Sequence, residues 1–298
     1  MKSIKVALIG YGYWGKILEH YIENDSIYRL KYIYDISESE DNLNGKRINN
    51  LELILVDEEI EIVFIATPIK THFELVKLFV KYGKNVVCEK PLSLKKKEIE
   101  ELILLEKETE KFIETNYIYL YSDGIKKMKE LLKEIGEIKY IDASITQYGK
   151  FYKEDNVYSV IGCHLLSVLF DFFGNNCEII KKDLYLNKEN KVLIGELELK
   201  YSSFNARLLL SLLSFEKKRR ITIYGNKGIL EYDMLKKESL VLNRTEGEII
   251  SEIEKYEFNE KDNIKKMLTY VKDIFLRKKK TNILLSRDIT KILEELGE

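Results

Sequence analysis

A glycine-rich stretch near the start of the chain constrains its fold more than any other feature. The segment "ALIGYGYWGKIL" carries Gly10, Gly12 and Gly15 in G-x-G-x-x-G spacing. It follows the apolar run "IKVALIG", which predicts a buried strand, and opens "WGKILEHYIEN", which has helical apolar spacing. In this context Gly10 allows a tight turn, Gly12 lets the backbone approach a diphosphate, and Gly15 lets the helix pack on the sheet. The stretch therefore predicts a dinucleotide-binding unit with the diphosphate at the helix N-terminus.

An acidic residue follows at the expected distance. Asp35 ends the second predicted strand, "LKYIYD", about 20 residues beyond the glycines. Its carboxylate can accept hydrogen bonds from the ribose hydroxyls and would repel a 2′-phosphate, so NAD is favoured as the cofactor over NADP. No arginine follows Asp35 to reverse this preference. Tyr13 and Trp14 lie inside the glycine motif and are assigned to the same cofactor site, where Trp14 is expected to pack.

The chain has two prolines, and both follow apolar runs that predict buried strands. Proline lacks an N–H and fixes φ, so each one ends strand pairing and forms a rigid corner. Ligands of open α/β sheets bind at the carboxyl ends of the strands, where these corners lie. The segments "FIATPIKTH" and "NVVCEKPLSL" therefore add further residues to the predicted cofactor site: Thr67, Pro68, His72, Glu89 and Lys90. Lys90 is expected at the rim of the nicotinamide pocket.

The pattern of elements changes after about Thr115. Strands and helices alternate before it, which predicts a parallel sheet, whereas strands follow one another without intervening helices over much of the remainder. The predicted fold class is α/β, with an N-terminal Rossmann doubly wound parallel sheet and a C-terminal α/β domain on an open, mainly antiparallel sheet. The predicted domains are residues 1–117 and 118–298. The closing helix, about residues 286–297, is a candidate for packing back on the first domain.

Composition excludes several classes of function. The formal net charge of −1 argues against nucleic acid or an anionic membrane as a partner. No apolar run approaches the ~18 residues of a membrane span, and the apolar N-terminal stretch is too short for a signal peptide. The three cysteines have no C-x-x-C spacing, so no metal site is expected. These features predict a cytoplasmic protein.

Three segments together resemble a known family. In their order and spacing, "GYGYWG", "FIATPIKTH" and "CEKPLS" are similar to the Gfo/Idh/MocA oxidoreductases. The resemblance implies NAD(P)-dependent oxidation or reduction of a hydroxyl or ketone on a small-molecule substrate: a sugar, a sugar derivative or an inositol. It also implies that Lys90 is the catalytic or proton-relaying residue, next to a Lys90–Pro91 bond that is often cis in the family.

The second signature of that family is only partly present. The family pattern resembles D-x-G-x-H-x-x-D, and "VIGCHLLS" keeps Gly162 and His164 but has Val160 and Ser167 in place of the aspartates. The resemblance implies that His164 is the second catalytic residue. The two replacements leave open an alternative function, a non-catalytic sensor of the same fold that binds a dinucleotide.

Sequence signals for the substrate are weaker. "TNYIYLYSDG" predicts a strand with Tyr117, Tyr119 and Tyr121 on one face. Tyr117, Tyr119 and Gln147 are the candidate substrate residues, with aromatic core packing as the alternative for the tyrosines. Because two family carboxylates are missing, a sugar derivative such as a nucleotide-linked keto sugar is favoured over a plain polyol.

One segment of the second domain suggests self-association. The strand predicted over "NARLLLSLLSF" is apolar on both faces, although an open sheet should expose one of them. The expected explanation is a second subunit covering the sheet, which predicts a homodimer or homotetramer.

Overall fold

The computed structural model describes residues 3–37, 46–149, 151, 156–186, 191–247 and 249–297. The chain divides into two compact units. One consists of Met1–Tyr117 and Ile264–Glu294, and the other of Ile118–Asn263 and Glu295–Glu298. Within the described ranges, every helix is too short or too polar to cross a bilayer.

The first unit contains a six-stranded parallel sheet in the order β3-β2-β1-β4-β5-β6. Its strands are Ile4–Ile9 (β1), Tyr28–Tyr34 (β2), Arg47–Ile48 (β3), Ile62–Ile65 (β4), Asn85–Glu89 (β5) and Ile113–Asn116 (β6). Every residue of β4 and β5 is buried, which is why both read as nearly continuous apolar runs. The strand order is that of doubly wound dinucleotide-binding folds, so the predicted Rossmann sheet is confirmed.

Eight α-helices lie in the described part of the chain. They are Tyr13–Glu23 (α1), Glu52–Val56 (α2), His72–Lys81 (α3), Lys96–Thr109 (α4), Asp123–Leu131 (α5), Cys163–Phe173 (α6), Asn263–Phe275 (α7) and Ile283–Glu295 (α8). Helix α8 lies in the first unit as far as Glu294. There Thr290 Oγ1 donates to the Ser93 carbonyl at 2.9 Å, and the hydroxyls of Ser286 and Thr115 are 2.7 Å apart.

The second unit is built on an eight-stranded sheet in the order β14-β13-β12-β11-β7-β10-β9-β8. Its strands are Ile138–Tyr148 (β7), Glu178–Leu186 (β8), Val192–Lys200 (β9), Asn205–Ser211 (β10), Leu213–Gly225 (β11), Gly228–Asp233 (β12), Leu240–Glu246 (β13) and Ile249–Tyr256 (β14). The β7–β10 pair is parallel and the other six pairs are antiparallel. The predicted open, mainly antiparallel sheet is therefore confirmed.

Two local predictions in this unit are wrong. The tyrosine-rich segment is not a strand: β6 ends at Asn116, and Ile118–Tyr121 forms a 3-10 turn before α5. The segment "NARLLLSLLSF" is not one strand that is apolar on both faces, because β10 ends at Ser211. Within β10 buried leucines alternate with half-buried residues such as Arg207, as expected when one face of a sheet lies on a core.

Candidate cofactor and substrate sites

The three glycines of the first turn have three different surroundings. Gly10 has φ of +91°, and a methyl group there would lie 2.6 Å from the Ala66 carbonyl oxygen. A methyl group at Gly15 would lie 2.1 Å from the Gly10 carbonyl oxygen, so this glycine lets α1 pack against the turn. By contrast, a methyl group at Gly12 would have no atom within 4 Å. Gly12 is thus the position where the backbone at the start of α1 faces open space.

The open space at Gly12 suits an anion. Gly12 precedes the first residue of α1, which has eleven residues and no acidic side chain in its first turn. The N–H groups and the dipole at a helix N-terminus make such an end favourable for a diphosphate. Tyr13 and Trp14 form the first turn, with their rings edge to face at 5.7 Å. Tyr13 is exposed and Trp14 is half-buried.

Asp35 is fixed beside the glycine turn. Its Oδ2 accepts the Tyr11 N–H at 2.5 Å, and its Oδ1 accepts the Ser37 N–H at 2.7 Å and the Ser37 hydroxyl. Partial burial would raise the pKa of Asp35, but the hydrogen bonds from Ser37 and Tyr11 outweigh it and hold that pKa below its ordinary value. The carboxylate is therefore ionised and oriented at the end of β2.

An arginine that the sequence reading missed lies close to this acid. Arg47, on β3, pairs with Ile33 of β2, and its guanidinium donates to the Ser37 carbonyl. Its charge also contributes to lowering the pKa of Asp35. The prediction that no arginine follows Asp35 to reverse the preference for NAD overlooked Arg47, whose charge acts on Asp35 from the neighbouring strand. The position of Arg47 near Asp35 follows from the pairing of β2 with β3, and the residues next to Asp35 in the sequence do not reveal it.

The two proline corners are joined by His72. This imidazole is fully buried, with Nε2 2.8 Å from the Thr67 carbonyl oxygen and Nδ1 2.8 Å from the Pro91 carbonyl oxygen. Burial lowers the pKa of His72, its two carbonyl contacts oppose this, and the nearby charge of Lys90 lowers the pKa further. A neutral imidazole has one N–H, so it donates to one of the two carbonyls. His72 therefore holds together the loops that follow β4 and β5.

Lys90 lies at the end of β5, between a buried acid and the second proline. The Lys90–Pro91 peptide bond is cis, as the family resemblance implied. Next to it, Glu89 is buried and accepts a hydrogen bond from Asn116 Nδ2 at 2.7 Å. Burial raises the pKa of Glu89, although Asn116 and the charge of Lys90 act against it.

Asn116 is a second residue that the sequence reading missed. It pairs with Glu89 across β5 and β6 and is 4% exposed. Its Oδ1 is buried and has no hydrogen-bond partner among the described residues. A buried amide oxygen is rarely left without a donor, and this one lies at the strand ends near Lys90. An amide-bearing ligand such as nicotinamide could supply the missing donor.

The second unit brings together His164 and Tyr119. Tyr158–Gly162 forms a π-helical turn that leads into α6, with His164 in its first turn. The rings of Tyr119 and His164 are stacked, with centroids 4.7 Å apart and planes inclined by 21°. Ser167, which stands where the family has an aspartate, donates from its hydroxyl to the His164 carbonyl at 2.7 Å. Val160 is buried.

The other candidate substrate residues occupy different surroundings. Gln147, on β7, accepts a hydrogen bond from the guanidinium of Arg219 and donates to the Gly149 carbonyl at 2.6 Å. The charge of Arg219 also acts on Tyr119, whose pKa it lowers against the larger effect of burial. Tyr117 belongs to the first unit and is fully buried. Nothing in the local sequence of Tyr117 distinguishes it from exposed tyrosines, because its burial depends on tertiary packing.

The residues at the strand ends of the first unit fit a dinucleotide. Gly12 offers the backbone cradle and Asp35 offers the acceptor for the ribose. Asn116 offers a buried Oδ1 that has no hydrogen-bond donor among the described residues. Over the ranges that the structure describes, no group of three or more His, Cys, Asp or Glu side chains could hold a metal ion.

Comparisons with known proteins agree with this geometry. A family described as "Oxidoreductase family, NAD-binding Rossmann fold" matches residues 4–117. A trans-1,2-dihydrobenzene-1,2-diol dehydrogenase of Xenopus tropicalis is 24% identical over 216 residues, covering 67% of this chain and 64% of the relative. A scyllo-inositol 2-dehydrogenase (NADP(+)) of Bacillus subtilis is 31% identical over 104 residues, covering 35% of this chain and 32% of the relative. The chain thus spans less than two thirds of the length of either relative.

Among solved structures, a 3-ketoreductase from Actinomadura kijaniata in complex with NADP superposes with a TM-score of 0.84. The alignment covers 98% of this chain and 96% of that one, at 17% sequence identity. At this identity the similarity establishes the fold of both units and nothing finer.

Proposed function

Because residues 4–117 of this chain belong to the Gfo/Idh/MocA oxidoreductase family, we propose that the protein transfers hydride between a nicotinamide cofactor and a hydroxyl or keto carbon. The proposed substrates are sugars, sugar derivatives and cyclitols. The observation that carries the proposal is the set of groups at the carboxyl ends of the first sheet: the open backbone at Gly12, the fixed carboxylate of Asp35, and Lys90 directly after β5. Similarity to a cyclitol dehydrogenase and to a diol dehydrogenase supports the substrate class.

The cofactor, when bound, supplies the acceptor or donor of the hydride. The contribution of the chain is at the substrate oxygen, where Lys90 Nζ accepts the hydroxyl proton during oxidation or donates one during reduction. His72 holds the backbone next to Lys90 in place through its contacts with the Pro91 and Thr67 carbonyls. His164 is proposed as a second acid–base group, and His164→Asn tests that role separately from Lys90.

The preferred cofactor is proposed to be NAD. Asp35 supports this choice, since an ionised carboxylate held by two backbone N–H groups repels a 2′-phosphate. Arg47 supports residual use of NADP, because its guanidinium lies near the same carboxylate. Titrations of NADH and NADPH monitored by nucleotide fluorescence measure the ratio of the two affinities.

We also propose that the protein forms a homodimer or homotetramer through the open face of the second sheet. That face carries a half-buried Arg207, whose Nε lies 3.0 Å from Glu196 and whose Nη1 lies 3.1 Å from Asp142. It also carries the paired rings of Tyr140 and Tyr224. Light scattering at micromolar concentration tests this proposal, and a monomeric mass would refute it.

The experiment for the proposed function is a spectrophotometric screen. Polyols, inositols, keto sugars and nucleotide-linked keto sugars are incubated with NAD, NADH or their phosphorylated forms, and absorbance at the NADH band is followed. Turnover of at least one compound is expected. Tight NADH binding together with inactivity towards every compound would favour the non-catalytic sensor instead.

A further inference from the structure

Arg219 stands in a basic run on β11 but differs from its neighbours. The run "KKRR" occupies residues 217–220. Lys218 forms an ion pair with Glu216, and Arg220 forms one with Glu231. Arg219 forms no ion pair with a carboxylate in the part of the chain that the structure describes, and its side chain is half-buried. Its charge is therefore not neutralised by a direct partner there.

Neutral oxygens surround the Arg219 guanidinium. Its Nη1 donates to the Thr146 carbonyl at 3.1 Å and to its neighbour's carbonyl, that of Lys218, at 2.6 Å. Its Nη2 donates to Gln147 Oε1, and its charge lowers the pKa of Tyr119 against the larger effect of burial. The two carbonyls are fixed parts of the sheet, whereas the Gln147 amide is a side-chain group that a ligand oxygen can replace.

The carboxylate of Glu260, near Tyr119, accepts hydrogen bonds from other side chains. Glu260 is the acid whose charge acts on Tyr119. Its Oε1 accepts from the hydroxyls of Ser122, at 3.0 Å, and Tyr232, and its Oε2 accepts from Asn263 Nδ2 at 2.8 Å. Burial, more than this acid, raises the pKa of Tyr119 to about 12, and Arg219 opposes the rise. Tyr119 therefore stays a neutral hydrogen-bonding group near the guanidinium.

A half-buried guanidinium that has no carboxylate partner among the described residues is a favourable site for an anion. Neutral carbonyl groups satisfy N–H donors but do not balance the charge, and an opposite charge attracts a cation more strongly where the cation is partly withdrawn from water. The planar fork of arginine matches carboxylate and phosphate oxygens, and hydrogen bonds between two charged groups are stronger than those to neutral oxygens. The stacked pair of Tyr119 and His164 places the predicted second acid–base residue beside this group.

We propose that Arg219 is a specificity-determining residue that binds an anionic group of the substrate, a carboxylate or a phosphate. The inference rests on the proposed function and deepens it: the substrate is an anionic sugar derivative, and neutral polyols bind weakly. Tyr119 and Gln147 are the hydrogen-bonding groups that the anion would share with Arg219.

The test measures binding rather than turnover, so that it stands apart from the proposed function. Glucuronate supplies the carboxylate, uridine diphosphate supplies the phosphate, and glucose is the neutral probe, each titrated by calorimetry into NADH-saturated protein. Arg219→Gln removes the charge and Arg219→Lys keeps it without the fork. Arg220→Gln is the control, since Arg220 is paired with Glu231 on the same strand.

In the wild-type protein we expect at least one anionic probe to bind more tightly than glucose. Tighter binding of glucuronate would identify the anionic group as a carboxylate, and tighter binding of uridine diphosphate would identify it as a phosphate. Arg219→Gln should weaken that binding about tenfold or more, Arg219→Lys by less, and Arg220→Gln not at all. NADH affinity and the urea midpoint should be unchanged in the control. Equal binding of the anion by wild type and Arg219→Gln, or no preference for anions in wild type, would overturn the proposal. If Arg219→Gln does not fold, an anion affinity in Arg219→Lys equal to that of wild type would overturn it as well. A failed activity screen alongside Arg219-dependent anion binding would refute the catalytic proposal alone.

Discussion

Adding a methyl group at Gly15 should lower stability, whereas adding one at Gly12 should lower cofactor affinity. At Gly15 the new Cβ would lie 2.1 Å from the Gly10 carbonyl oxygen, far inside the ~3.5 Å of ordinary contact. Replacing glycine by alanine within a helix normally gains about 0.5–1 kcal/mol, but overpacking against fixed backbone costs about 1–3 kcal/mol. Gly15→Ala should therefore lower the free energy of unfolding by about 1–2 kcal/mol.

Gly12→Ala is the matched variant. Gly12 has φ of −74°, which alanine adopts without strain, and its Cβ would meet no atom within 4 Å. The free energy of unfolding should stay equal or rise by up to about 1 kcal/mol. Cofactor affinity should fall about tenfold or more, since the methyl group would fill the space that we assign to the diphosphate.

Urea unfolding and NADH fluorescence titration, both run on the wild type and the two variants, separate these effects. Stability loss confined to Gly15→Ala and affinity loss in a stable Gly12→Ala protein are the expected results. A Gly12→Ala protein that binds NADH as tightly as wild type would refute the placement of the diphosphate at this turn.

Three further predictions concern the strand ends of the first unit. Because the pKa of His72 is lowered on folding, the free energy of unfolding should fall below pH ~6.5 with a slope of at most about 1.4 kcal/mol per pH unit. His72→Gln should remove that slope in urea unfolding between pH 7.5 and 5. An unchanged slope would contradict the assignment. The pKa of Glu89 is raised on folding, so its ionisation destabilises the native state as pH rises above ~4.5. Glu89→Gln should keep the contact with Asn116 and be more stable than wild type at pH 8. A less stable Glu89→Gln protein at pH 8 would contradict this account of Glu89. Asp35→Ser should raise the affinity for NADPH relative to NADH, and adding Arg47→Ala should cancel that gain, whereas an unaffected ratio in the double variant would show that Arg47 takes no part.

The sequence was most informative where the determining contacts are local. The glycine turn and the strand that precedes it are neighbours in the chain, and the fully buried β4 and β5 produce apolar runs that need no partner to be recognised. For the same reason the parallel sheet and the position of Lys90 after β5 followed from pattern alone.

Prediction failed where tertiary packing decides. The alternation of Tyr117, Tyr119 and Tyr121 has the period of a strand, yet the chain turns there, because Ser122 caps α5 by accepting the Ile125 N–H at 3.1 Å. A 3-10 turn with buried tyrosines and a strand with buried tyrosines have the same residue types, so the sequence does not distinguish them.

Long-range partners were equally invisible. Arg219 meets Gln147 across 72 residues of sequence, and Glu89 meets Asn116 across 27. Arg47 joins the Asp35 turn through pairing of β2 with β3. Each of these contacts depends on strand order, which a single sequence does not specify.

The central claim is that Lys90 transfers the proton in a nicotinamide-dependent reaction, and one comparison tests it most directly. Turnover and NADH affinity are measured for wild type, Lys90→Met and the control Lys95→Met, since Lys95 lies on the same loop with an exposed side chain. The expected result for Lys90→Met is unchanged NADH affinity with turnover lowered about 10²–10⁴-fold, while Lys95→Met behaves as wild type. A Lys90→Met protein that retains most of its turnover would contradict the claim.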